Sequence, residues 1–275
     1  MQIKQVFRST QVYEGAGVKI NRVFSFNEVP LFDPFLLLDH FKSDHPDDYL
    51  KGFPWHPHRG IETVTYMLKG EIEHGDSLGN IGIISPGDVQ WMTAGSGIIH
   101  QEMPQQKNGI NGFQLWVNLS AKDKMTEPKY REIKQSEIPV ISEKNFTAKL
   151  IAGEFNGEKG AVTDVNTDPQ YFDIELNTND YFEYTIKKGY VLFLYLYQGI
   201  LFHSETEILE GSAVLFENGD CLKVTSKKEK AHFLLISGKP IKQSIEWHGP
   251  IVMNNRQEIV KAFEEYQNGT FIKHK

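Results

Sequence analysis

Apolar residues along this chain come in short blocks rather than at helical intervals. Ile61–Leu68, Asn80–Ser85, Phe113–Leu119, Val191–Tyr197, Ala213–Phe216 and His232–Ser237 are rich in Val, Ile, Phe, Tyr and Thr, and Gly, Pro, Asn or Asp separate them. Branched and aromatic side chains suit a pleated, half-buried strand and the separators suit tight turns, so each block predicts a strand. Helical periodicity emerges only near the end, where Ile259, Ala262, Phe263 and Tyr266 recur on one face. Asn255 with Glu258 three residues later resembles a capping box, and Gly269 is a suitable stop, which predicts a helix of about three turns.

The pattern is written twice. Lys69-Gly70, then Ser85-Pro86-Gly87-Asp88, then Phe113–Leu119 is matched by Gln198-Gly199, then Glu217-Asn218-Gly219-Asp220, then His232–Ser237. Between the copies, Ser120–Asn145 is polar and reads as a connection. An internal duplication of this kind predicts two antiparallel jelly-roll β-barrel domains, residues 1–135 and 136–275, the second ending in the helix.

Composition narrows the chemistry. Of 275 residues, 40% are hydrophobic and 24% charged, which excludes disorder as the main state. Lys plus Arg number 29 against 36 Asp plus Glu, a net charge of −7 with no basic block, so direct nucleic-acid binding is not expected. Cys221 is the only cysteine, which excludes an intrachain disulfide and a thiolate zinc site. The first residues lack the apolar core of a secretory signal, and the longest apolar run, Val191–Tyr197, falls far short of the roughly 20 residues that span a bilayer. A cytoplasmic protein without membrane contact is the expectation.

Any metal chemistry must then use His, Asp or Glu, and two triplets supply them: His56-Pro57-His58 and His100-Gln101-Glu102. Alternate residues of a strand share a face, so each triplet offers two ligands side by side. Two such strands facing one another across a barrel are expected to present three imidazoles and a carboxylate.

The surroundings of these triplets carry a resemblance. Asp33-Pro34-Phe35-Leu-Leu-Leu-Asp39, Pro54-Trp55-His56-Pro57-His58-Arg59-Gly60, Glu62-Thr-Val-Thr-Tyr66, Ala94-Gly-Ser-Gly97, His100-Gln101-Glu102, Phe113-Gln-Leu-Trp-Val-Asn-Leu119 and Gly249-Pro250-Ile251-Val252-Met253-Asn254 resemble the pirin family of the cupin superfamily. The resemblance implies a mainly β bicupin in which His56, His58, His100 and Glu102 bind one divalent metal. Glu62, a ligand position in many cupins, is then expected to orient a histidine or stand apart. Nitrogen and oxygen donors suit Fe(II), the first choice, or Mn, Ni, Cu or Zn, with two coordination positions left open.

The family resemblance further implies a mononuclear dioxygenase that opens flavonols such as quercetin with O₂, Glu102 taking the substrate proton. The alternative is an iron-binding, redox-sensitive co-regulator acting through protein partners. A monomer is expected. The second half repeats no ligand pair, so His203 and His232 read as packing or surface residues. His74 reads as a solvated loop residue, His248-Gly249-Pro250 as a turn, Trp55, Phe53 and Trp91 mainly as barrel packing, and Arg59 as structural and turned away from the metal.

Overall fold

In the computed structural model, residues 1–105, 109–165 and 167–274 are described. The chain forms two compact units. One comprises Thr10–Val29, Phe35–Gln135 and Ile241–Lys275, and the other Met1–Ser9, Pro30–Pro34 and Ser136–Pro240. The contiguous division at 135/136 is therefore corrected at both ends. The N-terminal strand β1 (Gln2–Arg8) pairs with Ser212–Glu217 in the second unit, and the C-terminal helix α1 (Arg256–Gln267) belongs to the first.

The first unit is built from β2 (Thr10–Glu14), β3 (Val18–Phe24), β4 (Phe35–Ser43), β5 (Phe53–His58), β6 (Ile61–Lys69), β7 (Ile72–Asp76), β8 (Ile81–Ile84), β9 (Val89–Thr93), β10 (Ile98–Pro104), β11 (Ile110–Asn118) and β12 (Lys129–Ile133). A seven-stranded sheet runs β12-β9-β6-β11-β4-β3-β2, and a four-stranded sheet runs β5-β10-β7-β8. All pairings are antiparallel.

The second unit repeats this plan strand for strand. Its seven-stranded sheet is β1, Ser212–Glu217, Val191–Gln198, Ala231–Gly238, Gln170–Leu176, Phe146–Ala152 and Val140–Ser142, and its four strands are Tyr181–Thr185, Cys221–Thr225, Ile200–His203 and Thr206–Leu209. All six strands expected from apolar blocks are present within a few residues of their expected ends. The polar stretch 120–145 is more than a connection, because it holds the edge strand β12 of one unit and Val140–Ser142 of the other.

The interiors differ. In the second unit Val214, Leu194, Leu235, Phe172 and Leu150 are successive cross-strand partners, and all belong to one continuous apolar core. The interior of the first unit instead encloses a cavity. Helix α1 is capped by Asn255, whose side chain accepts from Glu258 N at 3.0 Å, and it buries Ile259 and Ala262 with Phe271. Among the described residues no helix is long and apolar enough to cross a membrane.

Candidate metal centre

His56 and His58 share one face of β5, and His100 on β10 is the cross-strand partner of His56. The two triplets thus lie on neighbouring, hydrogen-bonded strands of one sheet, which corrects the expectation of strands facing each other across the barrel. The imidazole ring centres are 4.4, 4.8 and 5.0 Å apart. One nitrogen from each ring lies within 4.8 Å of the others.

The hydrogen bonds say which nitrogens these are. His56 Nδ1 lies 2.8 Å from Pro54 O, and His58 Nδ1 lies 3.1 Å from Pro250 O. A carbonyl only accepts, so both Nδ1 atoms carry the proton and both Nε2 atoms present lone pairs. Those two Nε2 atoms are 3.0 Å apart. Two lone pairs at that distance repel unless a cation, a proton or a metal ion, lies between them. His100 adds the same demand: it is buried, and neither ring nitrogen has a hydrogen-bond partner among the described residues. Burial first, then the neighbouring rings, push His58 and His100 well below the usual imidazole range, which keeps them neutral as metal ligands must be. The donor set fits a divalent metal ion.

Glu102 follows His100 on the same face of β10 but is not part of the three-imidazole group. Its Oε1 is 2.9 Å from Thr65 Oγ1, which also lies 2.7 Å from the Gln114 side-chain amide. A hydroxyl has one proton, and it satisfies both neighbours if the amide donates to Thr65 and Thr65 donates to the carboxylate. Glu62 is buried on β6 of the other sheet and accepts from Thr93 Oγ1 at 2.6 Å, so the imidazole group closes without it.

His74 is a correction. Instead of a solvated loop it occupies β7, fully buried, with its ring 5.4 Å from His100 and stacked on Tyr130. Gln90 Nε2 donates to His74 Nδ1 at 2.7 Å, and His74 Nε2 faces Asp76 Oδ2 at 3.1 Å. Against the upward push of burial, hydrogen bonds from His74, Asn80 and Leu78 hold Asp76 below the usual carboxylate range. This chain buttresses His100 from behind. Gly70 ends the preceding strand and correctly suggested a turn; strand parity across Ile72, His74 and Asp76 was the signal for inward placement.

The segment 246–253 also does more than turn. Glu246–His248 and Ile251–Met253 form a hairpin that brings Pro250 O to His58. Lys124, fully buried, donates to Val252 O, Gly60 O and Asn118 Oδ1 at 2.7–2.9 Å, tying the hairpin to the histidine strand. Gly60 has φ +78°, and a Cβ there would come 2.0 Å from Val252 O, so only glycine fits beside the hairpin. Arg59, read from the sequence as structural, is buried, donating to Ser96 O and Phe271 O at 2.7 and 2.9 Å and pairing with Glu265 at 2.8 Å.

His56, His58 and Glu102 open onto a cavity of about 760 Å³ within this unit. Trp116 meets His58 edge-on at 5.1 Å, Trp247 lies 5.6 Å from Trp116, and Phe26 continues the wall at 5.8 Å. Phe53 also lines the cavity, whereas Trp91 is buried and Trp55 exposed. In the second unit the strands corresponding to β5 and β10 carry buried Phe182, Tyr184, Leu222 and Val224 instead of ligands. There His203 bonds the backbone carbonyls of Lys223 and Met1, and His232 lies 5.9 Å from Tyr197.

Comparison with known proteins decides the family. The Pirin family model matches residues 17–117, and the model of the Pirin C-terminal cupin domain matches 171–272. The chain belongs to the pirin family. Pirin-family relatives include a pirin-like protein from Caulobacter vibrioides, 40% identical over 98% of both chains, and human pirin, 40% identical over 94% of this chain and 90% of that one. A crystal structure of quercetin 2,3-dioxygenase from Acinetobacter baumannii matches with a TM-score of 0.90 at 32% identity, covering 98% of both chains. The architecture is accordingly two cupin domains with a short C-terminal helix.

Proposed function

We propose that this pirin-family chain is a mononuclear metal-dependent dioxygenase acting on flavonols such as quercetin. The observation that carries the reading is the convergence of three imidazoles, one without a hydrogen-bond partner among the described residues, at a cavity walled by Trp116, Trp247 and Phe26. The likeness to a quercetin 2,3-dioxygenase over the whole chain supports it.

His56, His58, His100 and Glu102 would hold the ion, Fe(II) being the first choice and Mn, Ni, Cu or Zn the alternatives. When bound, the metal supplies a Lewis acid with open positions for chelating oxygens and O₂. The residues of the chain do the rest. Glu102 takes the proton of the flavonol hydroxyl on its carboxylate, and Thr65 holds that carboxylate in place. The cavity volume falls in the range of roughly 300–1,000 Å³ usual for small-molecule sites. Its aromatic wall stacks the planar substrate, while Leu37 and Phe41 keep water from the reacting ring. Both atoms of O₂ enter the ring-opened ester, the carbon monoxide carries away the ring carbon with its own hydroxyl oxygen, and the proton held by Glu102 returns to the carboxylate of the product.

Metal-loaded protein mixed with quercetin under air is expected to deplete the flavonol absorbance and release carbon monoxide. Absence of turnover with all five metals would overturn the proposal.

A further inference from the structure

The inner face of the seven-stranded sheet carries a row of polar residues where a barrel is ordinarily apolar. Gln90 on β9 pairs with Thr65 on β6, Thr65 with Gln114 on β11, Gln114 with Asp39 on β4, and Asp39 with Arg22 on β3. Gln90 and Thr65 are used by His74 and Glu102. Gln114, Asp39 and Arg22 instead line the cavity. Across the corresponding five strands of the second unit, the row Val214, Leu194, Leu235, Phe172 and Leu150 is wholly apolar. The fold therefore does not require polar groups in this place, yet Gln114, Asp39 and Arg22 present theirs to the cavity.

The far end of the row is a built acceptor. Arg22 Nε and Nη2 donate to Asp39 Oδ1 and Oδ2 at 3.0 and 2.9 Å, and Nη1 donates to Glu14 at 2.7 Å. One guanidinium between two carboxylates leaves this pole net negative. Each Asp39 oxygen keeps a further lone pair after its bond to Arg22. A ligand with hydroxyl donors satisfies those lone pairs, while a carboxylate or phosphate is repelled. Neighbouring strands are about 4.8 Å apart, so Asp39 lies two strands, or roughly 10 Å along the sheet, from Thr65, the hydrogen-bond partner of Glu102.

We propose that Asp39, held by Arg22, is the specificity-determining acceptor for phenolic hydroxyls at the end of the substrate remote from the metal. The ligand class is a planar polyphenol whose distal ring bears hydroxyls, stacked along Trp116 and Trp247. This rests on the flavonol reading and adds which flavonols are preferred and why.

The test is equilibrium binding without oxygen, read by quenching of tryptophan fluorescence in the metal-loaded protein. Two ligands are compared: quercetin, with a catechol as its pendant ring, and galangin, the same flavonol with an unsubstituted phenyl there. Wild type is expected to bind quercetin about tenfold more tightly or better, the worth of a hydrogen bond to a charged acceptor. Asp39→Asn is expected to abolish that preference by weakening quercetin alone. Equal affinities in wild type overturn the proposal even if the variant fails to fold, and so does a folded variant that keeps the preference. Preference for quercetin without oxygen consumption refutes the dioxygenase reading and leaves the recognition intact. Turnover of both flavonols at equal affinity does the reverse, and binding of neither refutes both.

Discussion

Replacing Thr65 with valine removes one hydroxyl and keeps a β-branched side chain in the middle of β6. Thr65 is 1% exposed, and the valine methyl fills the place of the hydroxyl. What is lost is the 2.9 Å contact to Glu102 Oε1, a hydrogen bond to a charged acceptor. Such bonds contribute about 1.5–3 kcal/mol. At about 1.4 kcal/mol per decade that is roughly 10–100-fold in metal affinity, the range seen when a partner of a metal ligand is removed elsewhere. The assay is competition for Ni(II) or Zn(II) against a chromophoric chelator, with circular dichroism showing that the fold is kept and Thr65→Ser restoring the affinity. Unchanged affinity in a folded Thr65→Val protein would refute the reasoning that Thr65 sets the carboxylate of a metal ligand.

Arg59→Leu strips a buried guanidinium from Glu265, Ser96 O and Phe271 O. A loss of about 3 kcal/mol is expected, seen as a lower unfolding midpoint in urea and earlier proteolysis of the C-terminal segment. His40 is pulled down from 6.5 to about 4, chiefly by burial, despite its bond to Asn111. Between those values the unfolded chain binds a proton that the folded chain refuses, so stability falls as pH drops from 6.5 towards 4. Over the whole interval His40 accounts for about 3 kcal/mol, at 1.36 kcal/mol per pH unit. His40→Gln is expected to flatten this part of the urea-midpoint profile and leave it unchanged above pH 7.

Much of the fold was legible because its strands are written in branched and aromatic blocks with glycine punctuation. The duplication was legible for the same reason. The three histidines were legible because strand parity places His56 and His58 together. Register was not: nothing local says that His100 pairs with His56 on an adjacent strand. The exchange of termini between units was also hidden, since β1 finds its partner more than 200 residues away. His74 was misjudged because a glycine turn stands just before it, although alternation from Ile72 turns it inward. Lys124 looked like one charge of a polar connection, and only the meeting of Gly60, Asn118 and Val252 shows three acceptors for its three protons.

That His56, His58, His100 and Glu102 hold one metal ion is tested most directly by elemental analysis after equilibrium dialysis against buffered Fe(II) under argon. Wild type is expected to carry one iron per chain and folded His100→Ala none. An iron-free wild type, or a His100→Ala protein that retains the metal, would contradict it.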